Sequence, residues 1–151
     1  MSERRKQFAK LLSLPVLAAC GFLIAASLAG VGFATGTTVG GEGCTPGYWK
    51  QTQHFDSWTS PYTPSTQFDD VFDDAFGEMT LLEVLQQGGG GLNALGRHTV
   101  AALLNAASGG VDYSFTTTQV INMFNAVYPG GDYEDLKDTF EAENESGCPL
   151  S

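Results

Sequence analysis

One long uncharged stretch limits what the rest of this chain can fold into. Between Leu11 and Ala34 there is no charged residue, and the ten residues before it carry four of the protein's seven basic residues. A basic head, an apolar middle and a small-residue end are typical of an export signal. We therefore predict that residues 1–34 form a signal peptide or membrane anchor, residues 35–43 a Gly/Thr linker and residues 44–151 one folded domain.

The sequence is compatible with three fates of residues 1–34, which we call the leader. Cleavage after Ala34, which we favour, would release the domain with Thr35 as its first residue. The apolar run is also long enough to span a bilayer, and contact with a membrane is expected only if the leader is retained in this way. In the third alternative, the LAAC segment that ends at Cys20 acts as a bacterial lipobox and Cys20 is lipidated. In each case we expect a secreted or surface-displayed protein.

The predicted domain is strongly acidic. Residues 35–151 hold three basic residues, Lys50, Arg97 and Lys137, against sixteen acidic ones, which gives a net charge of −13. A field of this sign repels nucleic acid and anionic membrane surfaces, so neither is an expected partner. An extracellular protein or a glycan is the expected partner class.

Two cysteines stand at the two ends of the domain. Because Cys20 lies in the leader, Cys44 and Cys148 form an even pair in an exported chain, and such a pair predicts a disulfide bond. In the chain-entropy model, closing a loop of this length contributes roughly 4–5 kcal/mol to stability.

Helical periodicity dominates the sequence after residue 65, and no segment alternates long enough to predict a sheet. Segment 92–108 is apolar nearly all round, which is typical of a helix in the middle of a bundle. We predict a mainly α fold: a compact bundle of about five helices with an irregular aromatic N-terminal arm (44–65), clasped by one disulfide. The predicted helices run from Ser65 or Thr66 to Gly77, from Thr80 to Gly88, over 92–108, from Thr116 or Thr117 to Pro129, and from Asp132 towards Gly147.

Four fragments of the sequence resemble a recurrent domain of exported microbial proteins. They are CTPGYWK at 44–50, GGGLNAL at 89–95, RHTVAALLNA at 97–106 and the final Gly-Cys-Pro at 147–149. The resemblance covers residues 44–151. It implies a secreted or surface-displayed module, sometimes part of a larger extracellular protein, and it implies no particular activity.

The aromatic residues of the N-terminal arm have two interpretations. Tyr48, Trp49, Trp58 and Tyr62 would be able to stack on a sugar ring or to anchor a protein partner. The alternative, which we favour, is that the arm closes over the helical bundle and is pinned at one end by the disulfide.

Acidic residues are concentrated in the first predicted helix. Asp69 and Asp73, and likewise Asp70 and Asp74, are like-charged pairs four residues apart, and Glu78 follows them. Carboxylate oxygens are the ligands that Ca²⁺ prefers, so a weak Ca²⁺ site is one hypothesis for this cluster. The spacing is not that of an EF-hand loop, and we favour a solvated helix face. No other cofactor is expected.

The sequence offers no recognisable catalytic constellation. His54 and His98 each lack a second ligand at metal spacing, and a disulfide leaves the domain without a free thiol nucleophile. We therefore predict no catalytic residues and no enzymatic activity. A distant alternative is a secreted hydrolase that uses carboxylates such as Asp56 and Glu83 as acid and base.

One modification site is also a candidate. Asn144 begins the triplet Asn-Glu-Ser, an N-glycosylation sequon in an exported chain. Our leading hypothesis is an exported, non-enzymatic extracellular module with a structural or adhesive role. The alternative is a binding domain that responds to divalent cations through its acidic cluster.

Overall fold

The computed structural model describes residues 40–150, so the predicted leader with its candidate cleavage site, the lipidation candidate Cys20 and most of the predicted linker lie outside the described residues. The predicted mainly α bundle with one disulfide is confirmed. Within 40–150 there is no strand, and no helix there is long and apolar enough to cross a membrane. The helices are α1 (Pro46–Trp49), a 3-10 helix (Thr52–Ser57), α2 (Leu81–Leu85), α3 (Leu92–Ala107), α4 (Thr117–Val127) and α5 (Tyr133–Asn144).

Helix α3 occupies the centre of the bundle, as its apolar pattern predicts. Eleven of its sixteen residues are buried, and α1, α2, α4 and α5 all pack on it. Gly96 permits a close approach to α3, because a Cβ atom there would collide with the ring of Phe76 and press on the side chain of Val84.

Side-chain caps explain where three of the helices begin. Thr80 and Thr116 each accept a hydrogen bond from the backbone N–H three residues further on, and Glu83 and Gln119 complete the two capping boxes. Asp132 accepts hydrogen bonds from two backbone N–H groups in the first turn of α5. These three starts agree with the sequence prediction.

The helix predicted between Thr66 and Gly77 is wrong. Residues 66–80 form turns and bends, and we call this segment the acidic loop. Its two ends pair with each other, since Phe68 N–H donates to the Met79 carbonyl at 2.9 Å and Leu81 N–H donates to the Thr66 carbonyl at 2.8 Å. Aspartate is a weak helix former and its like charges repel at four-residue spacing, so nothing local opposes this pairing.

The phenylalanines of the acidic loop pack inward although the segment is not a helix. Phe68 and Phe72 are buried, and their rings lie 5.2 and 5.3 Å from the ring of Phe124 on α4. Phe76 meets Phe68 edge-on at 4.8 Å and covers Gly96. These three phenylalanines recur every four residues, as on one face of a helix, but here the repeat marks core positions in a loop. The intervening carboxylates are exposed: Asp69, Asp70, Asp73 and Asp74.

The folded domain begins before Cys44. Gly43 forms an isolated antiparallel bridge with Gly147. Glu42 N–H donates to the Asp112 carbonyl at 3.3 Å, and the Glu42 carboxylate accepts from Asp112 N–H at 2.8 Å. Residues 42 and 43, which the sequence assigns to the linker, are therefore part of the packed structure.

Candidate functional site

The predicted disulfide joins the two ends of the domain. Cys44 and Cys148 are bonded across 104 residues of sequence, and Cys44 is completely buried. The Gly43–Gly147 bridge lies beside this bond in sequence, so covalent and backbone pairing hold the same two chain ends together.

A buried asparagine on α3 fixes the CTPGYWK segment against the bundle. The Oδ1 atom of Asn105 accepts hydrogen bonds from Cys44 N–H at 2.9 Å and from the Trp49 indole N–H at 3.1 Å. Its Nδ2 atom donates to the Cys44 carbonyl at 2.9 Å. The Asn105 side chain thereby satisfies both backbone groups of Cys44, as a neighbouring strand would do.

A second buried asparagine, on α5, continues this network. The Oδ1 atom of Asn144 accepts from Asn105 Nδ2 and from the Tyr113 hydroxyl, both at 2.9 Å, and its Nδ2 atom donates to the His98 carbonyl at 3.0 Å. Burial raises the pKa of Tyr113 well above its usual value, so this hydroxyl keeps its proton as a donor. We call the following group the clasp: Cys44, Trp49, Asn105, Tyr113, Asn144 and Cys148.

The aromatic arm offers fewer stacking faces than its sequence suggests. Trp49 is completely buried and Tyr48 is 8% exposed, so the folded domain offers little of either ring to a stacking ligand. Trp58 and Tyr62 are partly buried and pack against the core. The Trp58 indole N–H donates to the Trp49 carbonyl at 3.2 Å. The favoured interpretation, an arm that closes over the bundle, agrees with these positions.

The glycosylation candidate is also buried. Asn144 has no exposed surface, and both its amide oxygen and its amide nitrogen are hydrogen-bonded within the clasp. A glycan on Nδ2 would need space that the packed core does not have. The folded domain therefore does not present Asn144 for glycosylation.

The carboxylates of the acidic loop are not grouped in the way that a three-ligand metal site requires. Across residues 40–150, no three His, Cys, Asp or Glu side chains are grouped so that they could hold a metal ion. Asp74 instead accepts a hydrogen bond from Gly77 N–H at 3.0 Å and closes a turn. Within the described residues, no such group includes the members of the hypothetical Ca²⁺ site: Asp69, Asp70, Asp73, Asp74 and Glu78.

In the carboxylate pair of the hydrolase alternative, Glu83 already caps a helix. Glu83 accepts from the Thr80 backbone N–H at 2.8 Å and from the Thr80 hydroxyl at 3.0 Å, and these bonds lower the pKa of Glu83. A general acid needs a raised pKa, so Glu83 suits a helix cap better than this role. Asp56 is exposed on the 3-10 helix.

Neither histidine is arranged for proton transfer at an open site. His98 is 8% exposed, its Nδ1 atom has no hydrogen-bond partner among the described residues, and its Nε2 atom lies 3.8 Å from a Glu141 carboxylate oxygen. Burial lowers the pKa of His98, and the nearby Glu141 carboxylate only partly opposes this effect. His54 stacks on the ring of Tyr48 at 3.8 Å.

A groove opens where the aromatic arm, the acidic loop and α4 meet. Its volume is about 350 Å³. Burial raises the pKa of Tyr62, one of its walls, so the phenol is neutral at physiological pH. The groove unites two features that the sequence shows separately, an aromatic residue of the arm and a carboxylate of the acidic cluster. It is lined by Pro61, Tyr62, Thr66, Asp70, Val71 and Ile121.

Among the described residues, no lysine or arginine forms an ion pair with the carboxylate of the groove. Arg97 donates to the carbonyls of Gln87 and Gly89 at 2.9 and 3.0 Å, and Lys137 is paired with acidic residues of its own helix. Within 40–150, no ion pair or hydrogen bond reaches the carboxylate of Asp70. The groove therefore carries one uncompensated negative charge.

Comparison of the chain with protein-family models, with curated proteins and with solved structures gives no match. Any functional proposal must therefore rest on the chain's own features, above all the clasp and the groove. The clasp is closed to ligands because its polar atoms bind one another, whereas the groove is open to them.

Proposed function

We propose that this protein is an exported, non-enzymatic module that binds an extracellular partner through the groove, while the clasp provides structural support. One observation carries this proposal. The conspicuous polar and aromatic residues of the clasp are committed to internal contacts, whereas the Asp70 carboxylate in the groove has no partner among residues 40–150. A polar group that the fold does not use is available to a ligand.

Three features support export. The chain begins with a basic and then apolar leader. The Cys44–Cys148 disulfide suits an oxidising compartment, where such bonds persist. The resemblance of the CTPGYWK segment and the Gly-Cys-Pro ending to domains of exported microbial proteins points the same way.

The absence of enzymatic activity is supported by what the candidate catalytic groups already do. Glu83 caps α2, and His98 is held within the core beside Glu141. Neither lines the groove. A catalytic site needs such groups in a pocket where substrate can reach them.

A secretion assay tests the proposed location. The full chain is produced with its own leader in a host that has a secretory pathway, and thiol alkylation is followed by intact mass. We expect exported protein in which Cys44 and Cys148 are alkylated only after reduction. The matched control is Leu23→Arg, which interrupts the apolar leader and should hold the protein in the cytoplasm. Native chain that stays in the cytoplasm with both thiols free would contradict the proposal.

A photo-crosslinking assay tests the proposed binding face. Ser65→p-benzoylphenylalanine places a reactive group on an exposed residue next to groove residue Thr66. The control is the same substitution at Asp135, an exposed residue of α5. On the surface of the native host cells we expect protein adducts from the Ser65 variant and few from the Asp135 variant. Equal yields, or none from either variant, would contradict a partner bound at the groove.

A further inference from the structure

We infer that the groove receives a basic side chain, lysine or arginine, from an extended segment of the protein partner. This inference rests on the proposed function and adds the chemistry of the ligand. It follows from the combination of apolar walls, one neutral aromatic ring and one uncompensated carboxylate in a single concave site.

The walls of the groove fit the two halves of a long basic side chain. Pro61, Val71 and Ile121 are apolar, and Val71 and Ile121 are partly buried and packed on the core, so they form a firm surface. Lysine and arginine bury their methylene stems along such surfaces while the charged head remains near water. Asp70 is exposed at the same groove and supplies the opposite charge for that head.

Tyr62 adds a second attraction for a cation. A lysine or arginine head near an aromatic face gains about 0.5–1 kcal/mol at exposed sites. Because burial raises the pKa of Tyr62, the ring keeps its proton and adds no negative charge of its own at physiological pH. The carboxylate of Asp70 is thus the charged group of the groove. The Tyr62 ring supplies an aromatic face for a cation–π contact.

The remaining polar wall of the groove is already engaged. Thr66 Oγ1 accepts from Thr63 N–H at 2.9 Å and lies 3.1 Å from the Thr63 hydroxyl. The Thr66 backbone carbonyl accepts from Leu81 N–H. A neutral sugar ring needs several free donors and acceptors around it. The side chains of these walls offer two such groups, the Asp70 carboxylate and the Tyr62 hydroxyl. The groove therefore favours a basic peptide over a glycan.

Charge beyond the groove strengthens this preference. The domain has a net charge of −13, and two of its three basic side chains, Arg97 and Lys137, are engaged in internal contacts. The acidic loop that supplies Asp70 also exposes Asp69, Asp73 and Asp74. Such a field attracts cationic segments and speeds their encounter at low ionic strength, while it disfavours anionic glycans.

A peptide titration tests this inference. The probe is Ac-Gly-Val-Lys-Val-Gly-NH₂, and its matched control carries acetyl-lysine, which has no charge. The receptor is the exported, disulfide-bonded chain purified from the secretion assay, and amide chemical shifts give both the site and Kd. We expect shifts centred on the groove residues, weaker binding at higher salt, and at least about fivefold weaker binding of the acetylated peptide.

Two charge-matched variants separate a specific site from general attraction. Asp70→Asn removes the groove charge, and we expect Kd to rise about fivefold, the effect of about 1 kcal/mol. Asp135→Asn removes the same charge from exposed α5 and should leave Kd within about twofold. Equal weakening in both variants would overturn the inference, because it would show attraction by net charge alone.

Two further outcomes also decide the ligand class. Saturable binding of the neutral oligosaccharide cellohexaose in the groove, unaffected by Asp70→Asn, would overturn the inference in favour of a glycan. Surface crosslinks from the Ser65 variant that persist with excess lysine peptide would overturn the basic-ligand chemistry and leave the proposed function standing. If those crosslinks are absent altogether, the proposed function itself is contradicted.

Discussion

Asn105 in the clasp and Asp70 in the groove are both polar residues among apolar neighbours, and their surroundings are opposite. Asn105 is fully buried and makes four hydrogen bonds with Cys44, Trp49 and Asn144. Asp70 is exposed, and no hydrogen bond or ion pair of the described residues reaches its carboxylate. A buried polar group that lacks partners costs stability, so the bonds of Asn105 support the fold, whereas an exposed polar group is free to bind elsewhere. The comparison therefore assigns stability to the clasp, and it is the basis of the binding role that we propose for the groove.

The largest expected effect comes from removal of the disulfide. The double variant Cys44→Ser/Cys148→Ser frees a loop of 104 residues in the unfolded chain. We expect the free energy of unfolding to fall by about 4–5 kcal/mol in the chain-entropy model. Urea unfolding followed by tryptophan fluorescence measures it, and reduction of the native chain is the control. A loss below about 1 kcal/mol would break the assignment of stability to the clasp.

The next largest loss of stability is expected at Asn105, and Asn125 on the neighbouring helix α4 serves as its control. Asn105→Ala leaves the Cys44 backbone and the Trp49 indole without partners in the core, so we expect a loss of about 3–4 kcal/mol or failure to fold. Asn125→Ala on α4 removes one exposed hydrogen bond from Asp73 N–H at 3.0 Å, so we expect a loss of about 1 kcal/mol or less. The denaturant midpoints of the two variants, compared with that of the native protein, measure both losses. Similar losses would remove the distinction between buried and exposed polar groups.

A smaller effect should appear on mild acidification. Burial lowers the folded-state pKa of His98, with Arg97 and Lys137 adding to this effect and Glu141 and Glu145 opposing it. The unfolded chain therefore binds the proton more readily than the folded chain does. The stability that His98 contributes is complete above its ordinary pKa of about 6.5 and falls as the pH drops towards the lowered value.

Urea unfolding at pH 7.5 and 5.5 measures this dependence on native and His98→Gln protein. Glutamine cannot take up a proton in this range, so it removes the titration and keeps a polar side chain at the same position of α3. We expect the native protein to lose more stability than the variant between the two pH values. Equal losses would show that His98 does not sense pH in the folded state.

The smallest effect on stability is expected in the groove. Asp70→Asn removes a carboxylate without internal partners, so the free energy of unfolding should change by no more than about 0.5 kcal/mol. The same variant should bind the lysine peptide more weakly than the native protein does. Binding and stability would then be separable at one residue. Thermal unfolding of the purified variant measures the first quantity. A loss above about 2 kcal/mol would show that Asp70 supports the fold.

The parts of the fold that depend on local chemistry could be predicted from the sequence. Thr80, Thr116 and Asp132 begin helices because their caps act within a few residues. The pairing of Cys44 with Cys148 followed from cysteine number and position. The segment 66–80 could not be predicted in the same way, because its ends pair with each other and its phenylalanines are held by α4.

The candidate site was harder to predict because it depends on tertiary contacts. Asn105 carried a usable signal, since an asparagine inside the apolar stretch of α3 is either buried and bonded or unfavourable. The sequence marks Asn144 as the start of a sequon, and only its burial and hydrogen bonds show that it belongs to the clasp. Tyr62 and Asp70 were assigned to different features of the sequence, and only the folded chain brings them to the same groove.

Hydrogen exchange of the two tryptophan indole N–H groups tests the central claim most directly. The Trp49 indole donates to Asn105 in the buried clasp, whereas the Trp58 indole donates to the Trp49 carbonyl at a partly buried position. We predict that Trp49 exchanges only on global unfolding and that Trp58 exchanges much faster through local opening. Equally fast exchange of both groups in the disulfide-bonded protein would contradict a closed clasp.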